Sequence, residues 1–148
     1  MPSLPLRASC LVVLAAGLFL VPLQARETAS TVVTFTGRAT GTLPAGFRTL
    51  TSVDTEPGRW QVVVAGRTPV LGQTDLGRSG YRLAVRTDVA LAHVHLGARL
   101  RMVTGDRAAG LAWRVRDAQN YYAARLDFYT NEVVLYKFVR GSRVRLDR

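Results

Sequence analysis

Ten acidic residues are the first candidates for chemistry in this sequence. Sugar hydrolysis uses two carboxylates flanking the bond, about 5–10 Å apart. Glu27, Asp54, Glu56, Asp75, Asp88, Asp106, Asp117, Asp127, Glu132 and Asp147 supply the residue type. Nearly all fall in expected turns or loops, where Asp accepts hydrogen bonds from nearby backbone N–H groups. Turn and solvation roles are therefore the plainer expectation. Asp117 and Asp127 border an aromatic stretch, which makes them the catalytic candidates to test first. His93 and His95 are two apart and share a face if their segment is a strand. Two imidazoles are a start toward zinc, but no spacing offers a third ligand. No metal and no other cofactor is expected.

Trp113, Tyr121, Tyr122 and Tyr136 form an aromatic cluster. Alternation along a strand separates Tyr121, Ala123 and Arg125 from Tyr122, Ala124 and Leu126. The all-apolar second set is expected in the core with Trp113, sealed between two layers. Val134, Tyr136 and Phe138 are expected in the core as well. Arg114, Asn120, Tyr121, Arg125 and Lys137 are then the candidate ligand-binding residues. A tyrosine ring stacks on a sugar, and Arg or Asn hydrogen-bonds hydroxyls or an acidic group. The competing expectation is an ordinary solvated charged face.

The elements that must position these residues are strands. Trp60 to Val64 and Val70 to Gln73 are β-branched runs separated by Gly66-Arg67-Thr68-Pro69. Tyr81 to Val85 alternates apolar and polar. Leu96, Ala98, Leu100 and Met102 fall on one face, with Arg99 and Arg101 on the other. Leu111, Trp113 and Val115 repeat the device with Arg114 and Arg116. Period two with one charged face predicts antiparallel strands half-exposed to water. Thr104-Gly105-Asp106, Asp117 to Asn120, Thr130-Asn131-Glu132 and Arg140-Gly141-Ser142 are the turn clusters between them. Turns about every 10 residues, with no helical spacing, predict a sandwich or barrel.

The chain has 148 residues, enough for one domain. Leu11 to Val21 is an unbroken apolar run of 11 residues, preceded by Arg7 and broken by Pro22. It is too short to cross ~30 Å of hydrocarbon. The order of segments predicts a cleaved secretory signal over 1–25 and a secreted or periplasmic product without a stable membrane anchor. An uncleaved anchor is the competing expectation. Residues 26–33 are expected to be a flexible segment and 34–148 the domain. Cys10, the sole cysteine, leaves with the leader, so thiol catalysis and disulfides are excluded from the exported part.

The formal net charge is +10, carried by 19 arginines and one lysine. The arginines are spread over all strands, with no basic helix, phosphate loop or nucleic-acid motif, so no nucleic-acid partner is expected. Attraction to anionic polysaccharide or a membrane surface is the milder inference.

Ala109-Gly110-Leu111-Ala112-Trp113-Arg114, then Asp117, Asn120-Tyr121-Tyr122, Arg125, Asn131 and Leu135-Tyr136-Lys137, resembles a motif of a secreted bacterial family. That family is labelled 3-keto-disaccharide hydrolase-like and belongs to the concanavalin A-like lectin/glucanase superfamily. Leu43 to Phe47, Gly58 to Val62 and Val70-Leu71 fit the N-terminal half of such a domain. The resemblance covers roughly residues 34 to 148 and implies an all-β, antiparallel, jelly-roll-like β-sandwich. Members of the family continue past the strand matching Arg143 to Leu146. A jelly roll needs about 8 strands, so the resemblance implies a sandwich incomplete at its C-terminus: a fragment, a truncated gene or a domain completed by a partner. The acids do not alternate along one strand as in the glucanase branch.

Three functions are carried forward. The first is a non-catalytic or incomplete exported module that binds carbohydrate weakly. The second, implied by the family label, is a hydrolase or lyase acting on 3-keto-glycosides. The third is an interaction module whose open sheet edge pairs with another chain.

Overall fold

The computed structural model describes residues 30–52, 58–75, 80–105 and 107–147. The expected leader over 1–25, positions 26–29 and most of the Asp54–Gly58 loop lie outside them. The described residues from Val33 onward belong to one compact unit. Positions 30–32 carry no regular structure.

Eight strands follow in chain order: β1 (Phe47–Thr51), β2 (Trp60–Ala65), β3 (Thr68–Gln73), β4 (Arg82–Arg86), β5 (Ala108–Asp117), β6 (Asn120–Asp127), β7 (Glu132–Val139) and β8 (Ser142–Asp147). Every pairing is antiparallel, and the described residues contain no helix. The chain is all-β. β1 pairs with β4, β2 with β3, and β5-β6-β7-β8 make a four-stranded meander.

The turns explain why consecutive strands pair. Gly66, at φ 67, is the first of two residues joining β2 to β3. That is the position where a hairpin of matching twist calls for glycine. Between β5 and β6, Asp117 accepts the Gln119 N–H at 2.7 Å, closing a local side-chain turn. Between β6 and β7, the Asp127 carboxylate accepts the Tyr129 N–H at 3.0 Å and the Thr130 N–H at 3.3 Å. Arg140 and Gly141, both at positive φ, join β7 to β8. The Asn120 side chain accepts the Arg140 N–H at 3.1 Å, which holds that residue in an unfavourable conformation.

One face of the meander is the core. Tyr121, Ala123, Val134 and Phe138 are buried on it. Tyr81, just before β4, and Leu83, on it, pack against Tyr121, Ala123 and Phe138 together with Ala112, Val115 and Tyr136. The Tyr81 ring meets Phe138 edge-on at 5.0 Å. In the β2–β3 pair Val62 is fully buried, with its N–H and C=O bonded to Thr42 and Gly41.

Two expectations are corrected. The phase of β6 is opposite to that expected. Tyr121 and Ala123 are buried, whereas Tyr122 and Ala124 are half-buried on the other face, with Trp113. The charge on Arg125 suggested that its face was wet. The structure instead neutralises that charge locally, with the guanidinium donating to Asp127 at 2.8 Å on the same face. The alternation through Leu96 to Met102 forms no strand, and Leu96 is 46% exposed. Alternation decides which side chains would share a face, but a strand also needs a neighbouring backbone to pair with. No described strand pairs with this segment. His93 and His95 lie in the same irregular stretch, so strand geometry does not place them on one face.

Candidate functional site

The non-core face of the meander carries the aromatic pair. Trp113 on β5 lies opposite Tyr122 on β6, and Tyr122 lies opposite Lys137 on β7. Lys137 in turn faces Val144 on β8. Neighbouring strands are about 4.8 Å apart, so the four side chains form one row across the sheet. The Trp113 and Tyr122 rings are stacked, with centroids 5.9 Å apart and planes 19° from parallel. Both are half-buried, as is Lys137. Leu111, Ala124 and Leu135 form the next row down. Gly110 permits the close approach of β5 to β6, since a Cβ there would run into the Ala124 carbonyl.

The residues expected to form a single binding face are divided between the two sides. Tyr121 is 2% exposed and lies on the Phe138 ring, so it cannot stack on a ligand. Arg125 is held by Asp127 on the core side. Asn120 spends its amide on the Asp117 carboxylate, at 2.9 and 3.0 Å, and its carbonyl on Arg140. Arg114 sits in a bulge at φ 50, and its guanidinium reaches the Ala92 carbonyl at 3.4 Å. Lys137 alone of the set stands in the aromatic row. Trp113 and Tyr122, assigned to the core by their apolar neighbours, are the residues that the charge-based choice of face missed. The signal available was register: Phe138 belongs to the core, and the one short turn between Asp127 and Glu132 fixes Tyr121, not Tyr122, opposite it.

Asp117 and Asp127 do not form a carboxylate pair. They lie at opposite ends of β6, the one paired with Asn120 and the other closing the strand. Seven residues of strand separate the two ends, roughly 23 Å. Hydrogen bonds from the Gln119 N–H and the Asn120 amide hold Asp117 below the usual carboxylate range. The Tyr129 and Thr130 N–H groups and Arg125 do the same for Asp127. A general acid needs the opposite shift. Among the described residues no three His, Cys, Asp or Glu side chains come together to hold a metal. No described helix is long and apolar enough to cross a membrane.

Comparison with known proteins returned no match to a family model, to a curated sequence or to a solved structure.

Proposed function

We propose that this chain is an exported, non-catalytic carbohydrate-binding module of the concanavalin A-like, jelly-roll type, binding weakly through the Trp113–Tyr122 face. The observation that carries the reading is the stacked, half-buried aromatic pair beside Lys137, on the side of the sheet away from the core. The apolar C–H face of a pyranose packs on an aromatic ring, and an ammonium donates to its hydroxyls. The row presents both groups within two strand spacings. The separated, turn-bound carboxylates favour binding over turnover of 3-keto-glycosides.

Affinity electrophoresis and calorimetry of the full chain against soluble polysaccharides test the proposal. Trp113→Ala and Tyr122→Ala should each weaken binding at least ~10-fold, the loss of one good contact. Tyr121→Phe, on the core side, should leave it unchanged. Binding that survives both aromatic substitutions, or no binding to any polysaccharide, ends the proposal.

A further inference from the structure

The end of the meander next to the aromatic row gathers positive charge. Two turns are locked side by side there: the Gly141 N–H donates to the Gln119 carbonyl at 3.1 Å, and the Arg140 N–H to Asn120 at 3.1 Å. Arg116, on β5, precedes the first turn and Arg140 lies in the second. Arg48, on β1, reaches the same place, its guanidinium meeting the Arg116 carbonyl at 3.5 Å. All three side chains are exposed. The nearest carboxylate, Asp117, is already committed to the Gln119 N–H and the Asn120 amide. Asp88, beyond β4, is taken up by Arg86 at 2.8 Å. Asp117 keeps its charge and offsets part of that of Arg116, so the three guanidinium groups leave this end with a positive excess. Tyr122 is two residues along β6 from Asn120, roughly 7 Å. A sugar resting on the aromatic pair has its ring substituents, or those of the next residue, within reach of this end.

From this placement we infer that the ligand is an acidic polysaccharide, with the uncharged ring face on Trp113 and Tyr122 and its carboxylate or sulfate groups at Arg116, Arg140 and Lys137. The inference rests on the aromatic platform proposed above and adds the charge class of what it binds. Guanidinium groups match carboxylate and sulfate geometry with paired hydrogen bonds. Exposed charges of one sign within a Debye length, ~8 Å at physiological salt, act on a ligand together.

The test compares alginate, a polyuronate, and dextran sulfate with neutral dextran, using the full chain. Poly-glutamate and duplex DNA serve as polyanions without a pyranose face. Alginate or dextran sulfate should bind at least ~10-fold tighter than dextran, and the advantage should shrink as salt rises. Arg116→Gln with Arg140→Asn should remove most of that advantage and leave dextran binding unchanged. Asn is chosen because it tolerates the positive φ at position 140. Trp113→Ala should weaken acidic and neutral polymers alike. Equal affinity for acidic and neutral polymers overturns the charge inference and leaves the platform standing. No binding to any polysaccharide overturns the platform. Equal binding to poly-glutamate, DNA and alginate, insensitive to Trp113→Ala, means attraction to any polyanion and overturns both. The salt titration needs no variant, so the outcome does not depend on a substituted chain folding.

Discussion

The ring of Tyr121 lies on that of Phe138, with centroids 4.3 Å apart and planes 13° from parallel. The two residues are directly opposite across β6 and β7, and both are buried. This contact is the centre of the core. Truncating a buried aromatic to Ala typically costs about 3–5 kcal/mol. Phe138→Ala should therefore lower the urea midpoint far more than Tyr122→Ala, which acts on the half-buried face and should cost roughly 1 kcal/mol. Equal losses in far-UV circular dichroism melts would mean that the two faces are buried alike.

The Tyr121 hydroxyl gives a stability limb at high pH. Burial pushes this phenol up to about 12, against ~10 in an unfolded chain. The folded state therefore keeps the proton longer than the unfolded state. Its contribution is complete below pH ~10 and is lost as pH rises toward 12. The loss should be on the order of 1 kcal/mol by pH 11. Tyr121→Phe should flatten this limb in thermal melts between pH 8 and 12. An unchanged alkaline slope would show that another group sets it.

The acid side has the opposite sign. Asp117 and Asp127 have folded-state values below their ordinary ones. Their contributions are present above the unfolded carboxylate value, near 4, and are lost as pH falls through the lower folded values. Asp127→Asn removes the charged acceptor that caps the Tyr129 and Thr130 N–H groups. Denaturant midpoints between pH 2 and 6 should then vary less steeply than in the parent chain. An identical profile would show that the turn does not depend on the carboxylate charge.

Arg140 occupies the left-handed region at φ 49, which is costly for a residue with a Cβ. Arg140→Asn should raise the melting temperature by a few degrees, since a gain of about 0.5–1 kcal/mol is worth that much in a domain of this size. Gly110→Val should do the reverse, because its Cβ would push β5 off the Ala124 carbonyl. A differential scanning measurement in which either sign is reversed would contradict the hairpin geometry.

Much of the strand pattern was legible because turns announce themselves. Asp117, Asn131 and Gly141 are residue types that turn the chain by local hydrogen bonding or positive φ, and the structure places a hairpin at each. The phase of β7 was legible too, since Val134, Tyr136 and Phe138 oppose the charged Lys137. β6 was not, because both of its faces are apolar enough for a core. There Arg125 pointed the wrong way, because Asp127 on the same face neutralises it. The stretch from Leu96 to Met102 has the alternation of a strand without a pairing partner, and partner choice is a long-range property that local spacing does not contain. The composition of the candidate face follows from the phase of β6, so Tyr121 and Arg125 lie outside it while Lys137 lies on it.

β8 is the outermost strand of the meander, exposed along its whole length. Arg143 is steadied there by donating to the Tyr81 hydroxyl at 2.9 Å and by lying over the Tyr136 ring. Arg145 follows two residues later. An identical margin approaching from a neighbouring molecule would set guanidinium against guanidinium. Repulsion of that kind opposes edge-to-edge stitching at low ionic strength, so concentrated stocks should stay clear in dilute buffer yet grow turbid as added salt dulls the mutual aversion.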